Sequence, residues 1–105
     1  MPREKVRTTF LTAIRDGAVK RNGYRLTVGY KLPPNEHGWF AYRNRVDARW
    51  YIIEGYSGFA VGHGPTMLSA LDDFLSNEIK LMTWCAKAGN LRPICEWPIV
   101  ETKNA

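Results

Sequence analysis

The pattern that most constrains the fold is a short hairpin signal running directly into an amphipathic helix signal. Trp50, Tyr51, Ile52, Ile53 and Glu54 combine aromatic and β-branched residues as a strand does. Gly55, Tyr56, Ser57 and Gly58 supply turn chemistry, and Phe59, Ala60, Val61 and Gly62 read as the returning strand. Gly64, Pro65 and Thr66 break that pattern. Leu68, Leu71, Leu75, Ile79, Met82 and Ala86 then recur at spacings of three and four, so one helical face is apolar, widened by Phe74, Leu81 and Cys85. Ser69, Asp72, Asp73, Ser76, Lys80, Thr83 and Lys87 fall on the opposite side. Thr66 suits the N-cap and Gly89 the left-handed residue past the end, so a long helix is predicted over residues 66–88. At 1.5 Å per residue it would be about 33 Å long. Its far end, with Leu81 and Trp84, offers a face on which a second copy of the chain could pair as a homodimer.

Upstream, residues 2–15 fit two periods. Pro2, Glu4 and Asp16-Gly17 suit the ends of a short N-terminal helix, with Val6, Phe10 and Ile14 on one face. Val6, Thr8, Phe10, Thr12 and Ile14 also alternate as a strand, and Thr8-Thr9 weakens a helix. The helix is the preferred reading. Asn22-Gly23 is a hairpin-turn signal, with residues 18–21 on one side. Tyr24, Leu26, Val28 and Tyr30 alternate on the other. Pro33, Pro34 and Asn35 open a loop, Trp39, Phe40, Ala41 and Tyr42 form a strand, and residues 44–48 form a polar turn. Pro93 and Pro98 restrict the tail to an edge strand or to a strap over the core, where Ile94, Trp97, Ile99 and Val100 would cover apolar surface. The expectation is an α+β single domain over residues 1–105: an antiparallel sheet of about four strands with one long helix packed on one face.

Several classes are disfavoured. No apolar run approaches the length of a membrane span, and the charged start has no apolar core of a signal peptide. Cys85 and Cys95 make no disulfide framework, which favours a reducing, cytoplasmic setting, and their spacing matches no common zinc pattern. No metal, cofactor or catalytic residue is called for. His37 beside Glu36 would be the acid–base pair of a small enzyme. His63, between Gly62 and Gly64 at the helix start, would offer backbone amides to an anion, but Pro65 removes one donor and no phosphate-loop lysine follows.

Charge is the feature that points to partners. The net charge is +5, and residues 1–49 hold eleven Lys/Arg against four Asp/Glu. Within this half, Arg43, Arg45 and Arg49 are interleaved with Tyr42 and Trp50, with Trp39 just upstream. Arginine forks grip phosphates or carboxylates with two donors, and exposed rings can stack on bases or fill a partner's pocket. Lys20, Arg21 and Arg25 extend the candidate binding surface. The expected partner is a protein or ribonucleoprotein complex, the alternative being nucleic acid itself.

Two resemblances follow from these residues. A helix, three strands, the Gly62-His63-Gly64 turn and a last helix carrying Ala70-Leu71 resemble a double-stranded-RNA-binding domain. That family sets lysines at the start of the last helix, where this chain has Met67, Leu68 and Ser69, followed by Asp72-Asp73. In size and in richness in Trp and Tyr, the chain also resembles small phage and mobile-element proteins, including anti-CRISPR proteins. That resemblance rests on style and covers no defined motif. It implies a non-enzymatic inhibitor that plugs a host nucleic-acid-handling defence complex, and it carries no residue across.

Overall fold

In a computed structural model, the structure describes residues 3–27, 29–77 and 92–100. Five strands, β1 (Lys5–Ile14), β2 (Gly17–Leu26), β3 (Trp39–Arg43), β4 (Trp50–Glu54) and β5 (Ala60–Gly64), precede helix α1 (Met67–Leu75). The strands pair antiparallel in the order β1-β2-β3-β4-β5, so chain neighbours are sheet neighbours throughout. The α+β class with a helix against an antiparallel sheet is therefore present, with five strands rather than about four.

The N-terminal segment is the clearest departure from expectation. Residues 5–14 form β1, not a helix, and pair along their whole length with β2. The β-branched Val6, Thr8, Thr9, Thr12 and Ile14 favour this state once a partner strand lies alongside. The turn is Arg15-Asp16, between the paired Ile14 and Gly17, and Asn22-Gly23 lies inside β2. Gly23 is needed there for close approach: a Cβ would lie 2.2 Å from the Ala41 carbonyl oxygen and 2.9 Å from Phe10 Cε1. β2 ends at Leu26, so the alternation expected to continue to Tyr30 stops there.

α1 is a nine-residue helix capped by Thr66, whose Oγ1 accepts from the Ser69 N–H at 3.1 Å while Ser69 Oγ accepts from the Thr66 N–H at 2.9 Å. Its last residue is Leu75, with Ser76 as C-cap, so it stops short of the predicted end; residues 78–88 of that expectation, with Leu81, Trp84 and Cys85, lie outside the described residues. The buried stripe is Ala70, Leu71 and Phe74, while Leu68 and Leu75, expected on the apolar face, are exposed. Gly62 explains the rotation. A Cβ on it would meet the Ala70 carbonyl oxygen at 2.4 Å, so the helix seats its smallest residue against β5 and turns Phe74 inward. Phe74, fully buried, meets Trp39 at 5.1 Å between ring centroids. Around them Leu26, Tyr30, Ala41, Ile52 and Val61 complete the main core.

The opposite face of the sheet holds a second cluster, Phe10, Tyr42 and Ile53, flanked by half-buried Phe40 and Tyr51. The tail is a strap and an edge at once. Ile94 is buried against Gly58, its N–H donating to the Tyr56 carbonyl, and Ile99 bridges Ala18 in parallel. Ile99 itself is exposed rather than covering the core. No helix among the described residues is long and apolar enough to cross a membrane.

Candidate basic groove

β2 and β3 pair only at residues 24–26 against 39–41 and then part. Where they part, a groove of about 400 Å³ opens between residues 20–22 and 42–46. Its walls include Lys20, Arg21, Arg43 and Arg45, with Asn22, Asn44 and Tyr42 between them. The register fixes which way three of the cations stand. Arg21 pairs with Phe10 and so shares the face of the second cluster, which puts Lys20 on the helix-bearing face. Arg43 pairs with Trp50, which packs against the main core, so it too stands on the helix-bearing face. The cations therefore flank the notch from both sides of the sheet.

Arg21 is held in place. Its guanidinium lies 5.0 Å over the Tyr42 ring centroid and its Nε donates to Thr12 Oγ1 at 3.3 Å. Burial pushes the Tyr42 phenol above its ordinary pKa, against the opposing pull of the Arg21 charge. Arg43 and Arg45 are exposed. Among the described residues, no Lys or Arg lies within ion-pairing distance of a carboxylate; the one such pair is His37 with Glu36 at 3.5 Å. That pair sits in the proline-rich loop, where the His37 ring meets Tyr56, and lines no part of the groove.

Of the nine residues singled out in the sequence, five meet here: Lys20, Arg21, Tyr42, Arg43 and Arg45. Arg25 lies over Phe40, beside Gly38, and lines a separate hollow with Lys31 and Pro33. Arg49 donates from Nη2 to His63 Nδ1 at 3.1 Å. An arginine can only donate, so Nδ1 accepts and His63 carries its proton on Nε2. Beside them Tyr51 donates to Asp47 Oδ2. This bond, with that from the Arg49 N–H, holds the Asp47 carboxyl below its ordinary pKa and raises that of Tyr51.

The aromatic residues of the expectation lie deeper than the cations. Trp39 is 3% exposed and donates its indole N–H to the Pro33 carbonyl at 2.8 Å. Trp50 is half-buried against Tyr24, and Tyr42 is 8% exposed beneath Arg21. These rings support the sheet and the guanidinium groups and offer no open stacking platform. No family model, curated protein or solved structure matches this chain.

Geometry bears on two other expectations. At the helix start three amides are already engaged: the His63 N–H donates to Asp73 Oδ2 at 3.0 Å, and Ser69 and Thr66 satisfy each other's amides. The likeness to a double-stranded-RNA-binding domain required an N-terminal helix, and β1 stands in its place. Asn22 and Asn44, which the sequence reading passed over as turn residues, also line the groove. Recognising residues 17–26 as one strand would have placed Asn22 beside Lys20 and Arg21 on that wall. Among the described residues no three His, Cys, Asp or Glu gather as a metal site would require, and Cys95 is an exposed free thiol.

Proposed function

We propose that this chain is a small non-enzymatic binding protein, an inhibitor of the phage type that docks its basic groove on a host nucleic-acid-handling complex. The observation that carries this reading is the convergence of Lys20, Arg21, Arg43 and Arg45 on one notch, with no neutralising carboxylate among the described residues. Like charges held together cost free energy unless an anion joins them, so such a notch favours an anionic partner. Arg21, pinned by Tyr42 and Thr12, loses little side-chain freedom on binding, which favours affinity as well as specificity. The mechanism would be charge complementarity that steers docking and a compact body that blocks the partner sterically. The choice of a host defence complex rests on the resemblance in size and composition.

The test compares tagged wild type with a K20A/R43A/R45A variant, whose three changes all fall on exposed side chains. Both are incubated with host lysate, and captured proteins are read by mass spectrometry. Capture of a nuclease or ribonucleoprotein complex by wild type alone, with matched thermal melts, supports the reading. Equal capture by both proteins sinks it. Capture of nucleic acid alone, falling steeply with salt, transfers the groove to a nucleic-acid-binding module instead.

A further inference from the structure

We infer that the occupant of the groove is an extended acidic protein segment, which adds as a strand to the open edge of β2 at residues 20–22. This rests on the reading of the groove as the docking surface and names what enters it.

The backbone supplies the first reason. β2 is paired with β1 along its full length. On its other edge, among the described residues, it is paired with β3 only at residues 24–26 and with the tail only at Ala18. Between these contacts, residues 20–22 have no described strand beside them. In a strand, alternate residues turn both backbone groups to the same edge. Ala18 uses its N–H for the Pro98 carbonyl at 2.8 Å and its C=O for the Val100 N–H at 2.7 Å. Lys20 and Asn22 thus present their backbone groups on that same edge. An unpaired strand edge is a template for an added strand, and at Ala18 this edge already takes an extended segment.

Charge supplies the second. Side chains of an added strand alternate between the two faces of the sheet. Lys20 and Arg43 flank the notch on the helix-bearing face and Arg21 on the other, so carboxylates on either face of an acidic strand find a cation. Nucleic acid fits less well. Single strands are held by a basic groove together with stacked bases, and among the described residues the one ring in the groove, Tyr42, is buried under Arg21.

The probe is a fluorescein-labelled peptide of alternating Glu and Thr, about ten residues long, enough for one strand. Its control carries the same glutamates with the two central threonines replaced by proline, which keeps the charge and removes backbone donors. Anisotropy with the full chain should show the Glu-Thr peptide binding about tenfold more tightly than the proline control. It should weaken by a similar factor in K20A/R43A, a variant of two exposed side chains. Amide exchange at Lys20 and Asn22 should slow when the peptide binds. Equal binding of both peptides overturns strand addition, as does unchanged exchange at these amides. Binding of a short single-stranded or duplex DNA without peptide binding overturns the choice of occupant. If the peptides fail while K20A/R43A/R45A still loses its captured complex, only this inference falls. If that variant retains its complex, the docking surface itself falls.

Discussion

Glu54 is the residue on which the loops at one end of the sheet converge. It is fully buried, yet it is a carboxylate. Oε2 accepts from Asn35 Nδ2 at 2.8 Å and from the Tyr56 N–H at 2.6 Å, and Oε1 accepts from the Ser57 N–H at 2.8 Å. Burial alone would raise its pKa, but these donors together outweigh it and hold the carboxyl below the ordinary glutamate value. The sign of the linkage follows. A depressed folded pKa means the ionised form stabilises the fold above the unfolded pKa of about 4.3. That stabilisation is lost as pH falls through the folded value. Glu54→Gln must aim an amide N–H₂ at a backbone donor and should cost about 2 kcal/mol at pH 7. Urea melts between pH 7 and pH 3 check both points: the variant should be weaker at neutral pH and should lose less stability on acidification. An acid limb as steep as in wild type would show that another carboxylate governs it.

Elements explain where the sequence was legible. β3, β4 and the start of α1 could be read because their signals are local: a short aromatic-rich apolar run in residues 39–42, aromatic and β-branched density in 50–53, a hydroxyl at Thr66. β1 could not, because residues 5–14 satisfy both periods and only the presence of β2 alongside decides between them. Asn22-Gly23 misled for the opposite reason. The dipeptide is common in turns because of glycine's conformational freedom, but here glycine serves a close approach between strands. Gly23→Ala should therefore strain the β2–β3 contact and cost about 3 kcal/mol, as overpacking does. A tight turn at that place would tolerate alanine differently, and a melt within error of wild type would refute the close approach. Thr66→Ala removes the acceptor for the Ser69 N–H and should cost about 1 kcal/mol. Because α1 covers the main core through Phe74, that loss should appear in the global melt rather than as local fraying.

For the molecule as a whole, the basic half was visible in the sequence, but the groove was not. Its position depends on where two strands part, a property of register that no local signal carries. Four cations around one notch should also register in stability. An anion that binds the folded chain and not the unfolded one stabilises it by RT ln(1 + [L]/Kd), about 1.4 kcal/mol at ten times Kd. For a domain of this size that corresponds to a rise in Tm of about 6 °C. Phosphate also stabilises proteins generally by exclusion from their surfaces, so the comparison must be between proteins rather than between buffers. In calorimetric scans, inorganic phosphate at matched ionic strength against chloride should raise Tm more for wild type than for K20A/R43A/R45A, the excess saturating with concentration. In chloride alone at low salt the variant should melt no lower than wild type, since relief of repulsion between the cations offsets the lost side-chain contacts. A phosphate-induced rise equal in both proteins would mean that these cations do not act together on one anion, and the groove would lose its claim to be a site.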